Sequence, residues 1–104
     1  MKKNKNIEES FVKRLKNNPK LLNHFVREII EQYEKDDDFG MFLEGIKAIA
    51  TATEGMTKIS KKANVKRGTL YKAFSHKGNP EAKTYFNVLK NVGIQVHYSY
   101  AGKQ

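Results

Sequence analysis

The sequence predicts a mainly α-helical fold: a compact domain of five to six helices, followed by one short C-terminal β-strand. Through most of the chain, apolar residues recur every three to four positions, as they do on the buried face of an amphipathic helix. Residues 94–100 instead alternate apolar and polar side chains, which is typical of a strand. A length of 104 residues, of which 38% are hydrophobic, predicts one domain with a single core.

The start of the chain predicts a basic arm and a helical extension. Residues 1–6 are polar, basic and of low complexity, and we expect them to form a disordered basic arm. Residues 7–36 are expected to form an N-terminal helical extension. Within it, Ile7, Phe11 and Leu15 are spaced as on one helix face and predict a first, short helix.

A second helix is predicted to begin at the Asn18-Pro19 pair. Asparagine is a good N-capping residue, and proline suits the first helical position because an N–H there would have no partner within the helix. The helix is expected to end near Lys35, and its length is marked by an apolar stripe. The residues of this stripe are Leu21, Leu22, Phe25, Val26, Ile29, Ile30 and Tyr33.

Residues 37–93 predict a second group of helices. Asp38 is expected to cap a helix that ends at Gly55, a residue suited to the αL conformation of a C-terminal cap. Thr57 is then expected to cap a short helix that runs through Ala63. The inward-facing residues of the first of these helices are predicted to be Phe39, Phe42, Leu43, Ile46, Ile49 and Ala50.

Two more helices are predicted before the strand. One covers residues 66–74, and the next begins at Asn79-Pro80, which repeats the capping pattern of the earlier helix. This last helix is expected to run to Val92 and to stop at Gly93. Its buried side is predicted to carry Tyr85, Phe86, Leu89 and Val92.

Residues 94–104 are predicted to form the C-terminal strand and tail. The apolar positions of the alternating segment are Ile94, Val96, Tyr98 and Tyr100. A lone strand is unstable and needs a pairing partner, and no other segment of the chain is a convincing strand. We therefore expect it to pair with another chain, most simply in a homodimer; the alternative is a strand that packs on the helices without pairing.

The net charge of +9 is unevenly distributed along the chain. Residues 21–56 have a net charge of −5, residues 57–104 have +9, and no acidic residue occurs between Glu54 and Glu81. A one-sided basic region of this kind indicates binding to phosphate groups. The alternative interpretation is a lysine-rich face that is simply solvated.

Residues 57–74, "TKISKKANVKRGTLYKAF", have the pattern of a helix-turn-helix pair. Ser60 is small where the two helices would cross. Asn64 is placed at the turn, where an αL conformation is usual and asparagine tolerates it, and Val65 follows as the covered turn residue. Leu70 and Phe74 would then pack the second helix against the core. Residues 37–93 are therefore predicted to be a helix-turn-helix DNA-binding domain.

Packing Leu70 and Phe74 inward leaves the first residues of that second helix facing outward. In a helix-turn-helix these positions reach base edges in the major groove, and an arginine can bind guanine through two hydrogen bonds. The residues predicted to read bases are Lys66, Arg67, Gly68 and Tyr71. The residues predicted to contact phosphates, which fix the register without reading sequence, are Thr57, Lys58, Lys61, Lys72, Lys77 and Asn79.

The segment "GMTKISKKANVKRGTLYKAFSHKGNPEAKTYFNVLKNVGIQVHY" resembles the HigA-like addiction-module antidote (antitoxin) family, which has a Cro/repressor-type helix-turn-helix. The resemblance covers about residues 39–100, and the matching positions are Gly55, Met56, Val65, Arg67, Leu70, Tyr71, Lys72, Ala73, Gly78, Asn79, Pro80, Leu89 and Gly93. Three positions depart from the family pattern. Asn64 replaces the turn glycine, Lys66 replaces a capping serine, and Gly68 replaces a better helix former, so we expect a frayed recognition helix in the free protein.

This resemblance implies an antitoxin of a type II toxin–antitoxin module. Such a protein would neutralise a RelE-like, ribosome-dependent mRNA-cleaving toxin, repress its own operon, and read two half-sites on double-stranded DNA as a homodimer. The acidic middle of the chain would suit a basic toxin. The acids predicted to face the toxin are Glu28, Glu31, Glu34, Asp36, Asp37 and Asp38. The alternative is a stand-alone prophage-type transcriptional repressor without a toxin partner.

Other classes of protein are disfavoured. The three histidines are far apart in sequence and have no metal-ligand spacing, no nucleotide-binding or nucleophile motif is present, and we expect neither an enzyme nor a cofactor. No apolar run approaches the length of a membrane span, and no apolar segment follows the basic start as in a signal peptide. With no cysteine in the chain, these features predict a cytoplasmic protein without membrane contact.

Overall fold

The computed structural model describes residues 2–103, with side chains described from residue 9 onward. This part of the chain forms six helices and no β-strand. The helices are α1 (Lys2–Asn17), α2 (Pro19–Asp36), α3 (Phe39–Thr53), α4 (Met56–Ala63), α5 (Arg67–Ala73) and α6 (Ala82–Asn91). The prediction of a mainly helical domain is therefore confirmed, and the strand is not present in the described chain.

Helices α1 and α2 contact each other, and both pack on α3. The predicted cap of α2 is confirmed: Asn18 Oδ1 accepts the Leu21 N–H at 3.1 Å, and Pro19 occupies the first turn. α1 begins at Lys2, inside the segment predicted to be a disordered arm. Met1 and the side chains of residues 2–8 lie outside the described residues, and the arm stays a prediction.

Helix α3 lies at the centre of the fold and contacts α1, α2, α4 and α6. It begins where predicted, because Asp38 accepts the Met41 N–H at 3.1 Å and so satisfies one of the free donors of the first turn. Its side chains Leu43 and Ile46 are fully buried. Each neighbouring helix thus buries its apolar face against α3, which fixes their mutual positions.

An aromatic group joins α2, α3 and α6 beside this core. Tyr33 stacks on Phe42 with ring centroids 4.6 Å apart, and Phe39 meets Tyr85 edge-on at 5.5 Å. Phe74, at the end of α5, lies 6.5 Å from the Tyr85 ring. Burial, with a smaller contribution from Tyr33, raises the pKa of the Tyr85 phenol. The aromatic group therefore links the end of α5 to the helices around it.

Three predicted boundaries are wrong. Gly55 has a positive φ of 88° but an extended ψ of 148°, so it is not in the αL conformation, and it directly precedes α4. Because the buried Met56 is the first residue of α4, Thr57 lies inside the helix and does not cap it. The Asn79-Pro80 pair does not start α6, which begins two residues beyond the proline at Ala82.

The end of α6 agrees with the sequence, whereas the segment after it does not. Gly93 has a φ of 86° and lets the Ile94 N–H reach back to the Leu89 carbonyl at 2.9 Å, which closes the helix. Residues 94–103 have no regular secondary structure. A strand needs a neighbouring strand for its hydrogen bonds, and the described helices offer no such edge.

A search of the described residues for membrane spans finds no helix with the length and apolar character needed to cross a bilayer.

We predict that Leu43→Ala lowers the free energy of unfolding by about 2–5 kcal/mol, because it opens a cavity at a fully buried position of the central helix. Met41→Ala is the matched control on the same helix, since Met41 is 56% exposed, and its change should stay within about 0.5 kcal/mol. Urea titration followed by circular dichroism measures both. Equal losses in the two variants would contradict the central place of α3.

Candidate nucleic-acid interface

Helices α4 and α5 form a pair of short helices joined by the turn 64–66. Asn64 has φ 57° and ψ 45°, the αL conformation that ends α4 and redirects the chain. The Val65 N–H then donates to the Ser60 carbonyl at 3.0 Å, which closes the turn. Ser60 itself is buried and donates its hydroxyl to the Thr57 carbonyl at 2.7 Å. The predicted turn geometry at Asn64 and Val65 is therefore present.

Helix α5 is held on the protein by its buried side. Leu70 is fully buried and Phe74 is 1% exposed, so both pack in the core as predicted. The other end of the helix is weaker, because Lys66 at the N-cap makes no side-chain capping hydrogen bond. A helix of only seven residues thus has a firmly packed C-terminal half and an exposed, uncapped beginning.

Arg67 and Tyr71 form a pair on the outer face of α5. Arg67 Nη2 donates to the Tyr71 hydroxyl at 3.2 Å, and the guanidinium carbon lies 5.1 Å from the centroid of the Tyr71 ring. Both contacts restrict the rotamers of an exposed side chain that would otherwise be mobile. Tyr71 is half-buried against the core, so it gives Arg67 a fixed platform. The structure therefore brings into contact Arg67 and Tyr71, two of the four residues predicted to read bases.

The surface beside this pair is open. Lys66 and Gly68 are exposed, and a Cβ added at Gly68 would meet nothing within 4 Å. Neither close packing nor a positive φ requires a glycine at position 68. Thr69 is also exposed on α5, although it was not among the residues predicted to read bases. The sequence could have indicated it, because it is not one of the positions, 70 and 74, that pack in the core.

The predicted phosphate contacts are all on the surface: Thr57, Lys58, Lys61, Lys72, Lys77 and Asn79 are exposed. Lys61 and Lys66 border the same open depression at the turn, which Ser60 and Val65 also line. Lys62, between them in sequence, is engaged instead: its Nζ lies 2.8 Å from Glu54 Oε1. This hydrogen bond is the main cause that lowers the pKa of Glu54, and the Lys62 ammonium offsets the charge of that carboxylate.

The acids predicted to face a toxin divide into two groups. Glu28, Glu31 and Glu34 are exposed along α2. The other three acids shape the connection to α3. Asp38 caps that helix, Asp37 adopts φ 57°, and Asp36 accepts hydrogen bonds from Gln32 and from the Asp38 N–H. The bond from Gln32 is the first cause of a lowered pKa at Asp36.

The C-terminal tail offers apolar side chains to solvent. Ile94 packs against the core, but Val96 is 44% exposed, Tyr98 is 84% exposed and Tyr100 is 87% exposed. Three exposed apolar or aromatic side chains at alternating positions of one short segment form a surface that a partner could cover. The structure thus does not bring the predicted strand residues onto the rest of the domain beyond Ile94.

No group of three or more histidine and carboxylate side chains within residues 9–103 converges in a way that could hold a metal ion. The described residues therefore present exposed basic side chains and the Arg67–Tyr71 pair on α4 and α5, and no assembled set of metal ligands.

Comparison with protein families gives a match over most of the chain. A family model described as "probable addiction module antidote protein" matches residues 10–100, which include α2 to α6 and most of the C-terminal tail. Searches of curated proteins and of solved structures give no match. A match over this share of the 104 residues shows the family, and the chain belongs to the family of probable addiction module antidote proteins.

Proposed function

We propose that this chain is a sequence-specific DNA-binding antitoxin of a type II toxin–antitoxin module, which neutralises a RelE-like toxin and represses its own operon. The observation that carries the DNA-binding part is the exposed face of α5, where Arg67 is held against Tyr71 in a region without acids from residue 55 to residue 80. The antidote family supports the toxin part.

In this proposal α4 and α5 act as a Cro-type helix-turn-helix, in the HigA-like manner that the sequence resembles. Leu70 and Phe74 hold α5 on the core, so that its first turn can enter the major groove. Arg67, already oriented by Tyr71, would bind O6 and N7 of a guanine through its two terminal nitrogens. Less rotamer entropy is lost on binding because the arginine is ordered beforehand.

The lysines around this face supply affinity without sequence preference. Lys58 and Lys61 on α4 and Lys72 on α5 are exposed and would contact phosphates on either side of the groove. Contact with about six to eight phosphates would give a slope of roughly −5 to −7 for log K against log salt. A slope near zero would contradict phosphate binding as the source of affinity.

The toxin contact is proposed for the exposed acids of α2. Glu28, Glu31 and Glu34 are accessible to a basic partner, whereas Asp36, Asp37 and Asp38 are used in the connection to α3. Coexpression with the product of the neighbouring gene tests this part. A stable complex and relief of growth arrest support an antitoxin, and DNA binding without any such partner would indicate a stand-alone repressor.

The experiment that tests DNA binding compares Arg67→Ala with Lys72→Ala. On the duplex that lies immediately upstream of the coding sequence, Arg67→Ala should cost about 1–3 kcal/mol of binding free energy, because it removes a base contact. On a scrambled duplex the same variant should lose much less. Lys72→Ala should weaken both complexes similarly and reduce the salt slope by about 1. Fluorescence anisotropy measures the affinities of both variants and of the unaltered chain for the two duplexes, and unchanged binding of Arg67→Ala would refute its assignment.

We predict that Gly68→Ala has opposite effects on stability and on DNA binding. Alanine should raise the free energy of unfolding by roughly 0.5–1 kcal/mol, because it is the better helix former and its Cβ meets open space. The added methyl group should weaken DNA binding if α5 approaches the duplex closely at this position. Thermal unfolding and anisotropy measure the two effects. A variant that is more stable and binds DNA normally would place Gly68 away from the duplex.

We also predict that removal of residues 94–104 weakens homodimerisation. The exposed Val96, Tyr98 and Tyr100 would be removed from an intermolecular strand pair, and of the residues packed against the core the truncation removes Ile94. Light scattering over a range of protein concentrations compares the truncated chain with the full chain. Identical masses for the two would count against a dimer that forms through the tail.

A further inference from the structure

The loop between α5 and α6 is tied to α3 across the fold. The His76 N–H donates to Glu44 Oε2 at 2.8 Å, although the two residues are 32 positions apart. Among the described residues this is the only hydrogen bond of a side chain that joins parts of the chain more than eight positions apart. This hydrogen bond is therefore one of the contacts that fix where the loop lies.

The carboxylate that makes this contact is itself held in place. Its second oxygen, Glu44 Oε1, lies 3.4 Å from Lys47 Nζ, one turn further along α3. The Lys47 side chain is 19% exposed and that of Glu44 is 33% exposed, so the pair is partly shielded from water. Glu44 therefore has a different partner for each oxygen: Lys47 for one and the backbone of the loop for the other.

Two glycines allow the loop to approach so closely. A Cβ at Gly40 would overlap the His76 carbonyl oxygen, so any other residue there would push the loop away from the start of α3. A Cβ at Gly78 would overlap the Ala73 carbonyl oxygen at the end of α5. The loop is thus pressed against α3 on one side and against α5 on the other.

The same loop continues the last turn of α5. The Ser75 hydroxyl donates to the Lys72 carbonyl at 2.7 Å, and the Gly78 N–H donates to the Ser75 carbonyl at 2.8 Å. Because these hydrogen bonds join the loop to the last turn of α5, a shift of His76 would also move the C-terminal end of α5. Since the other end of α5 has no side-chain cap, the position of Arg67 depends on how firmly the C-terminal end is held.

We propose that Glu44 is a positioning residue for DNA recognition: by binding the His76 amide it fixes the loop after α5, and through that loop the orientation of Arg67. The inference rests on the proposed DNA-binding function. Glu44 does not contact DNA in this arrangement, and its effect on affinity is exerted through the placement of α5.

The test compares Glu44→Ala, Glu44→Gln and Glu9→Ala. Glu9→Ala is the control for charge, because it also removes one acid, and Glu9 is exposed on α1, away from the loop. On the upstream duplex, Glu44→Ala should bind roughly tenfold more weakly than Glu9→Ala, the change that corresponds to one lost hydrogen bond. Glu44→Gln should bind nearly as the unaltered chain does, because its amide oxygen can still accept the His76 N–H.

Amide hydrogen exchange, followed by NMR in the free protein, provides the second measurement. In Glu44→Ala the amides of His76, Leu70 and Phe74 should exchange faster, and that of Ile46 in the central helix should not. Equal DNA affinity for Glu44→Ala and Glu9→Ala would overturn the proposal. If the unaltered chain fails to bind the duplex, the DNA-binding function is wrong; unchanged exchange in α5 of Glu44→Ala would then separately refute the positioning role.

Discussion

Burial of the apolar face of α3 is the constraint on which the remaining structure depends. Leu43 and Ile46 are fully buried, and α1, α2, α4 and α6 all contact this helix. The short helices α4 and α5 are too small to be stable in isolation, so their geometry exists only because this core holds them. The exposed face of α5 is therefore as well defined as the packing of Leu70 and Phe74 beneath it. A helix of seven residues is thus held in place by a core to which it contributes only a few side chains.

Local sequence patterns predict the elements well where the physics is local. Asn18 and Asp38 both accept an N–H from the first turn of the helix that follows, as a capping residue does. The same reasoning fails at Asn79-Pro80, because this pair lies within the loop that connects the end of α5 to the start of α6 at Ala82. It fails at Thr57 as well, because α4 begins at the buried Met56, two residues before the first helical position that a cap at Thr57 implies. In both places the tertiary packing, which a capping pattern does not contain, decides the boundary.

Non-local features of the site lie beyond such patterns for a physical reason. Most of the residues on α5 that point outward follow from the helical period once Leu70 and Phe74 face inward, although Thr69 was missed and Tyr71 is half-buried. The contact of Glu44 with the His76 amide has no periodic signature, because it joins segments that meet only in the folded state. The alternating C-terminal segment illustrates the converse case. Its pattern is that of a strand, but a strand exists only with a partner, and residues 94–103 have none within the described chain.

Several carboxylates of this protein accept hydrogen bonds that stabilise its fold. Asp36 and Asp38 build the connection from α2 to α3, Glu44 ties the loop after α5, and Glu54 is paired with Lys62. Each of these carboxylates already has a hydrogen-bond donor, so it would have to give up that donor to bind a basic partner. The exposed acids of α2 carry no such cost. The net charge of −5 counted over residues 21–56 therefore overstates the number of acids that are free of hydrogen-bond donors and exposed on the surface.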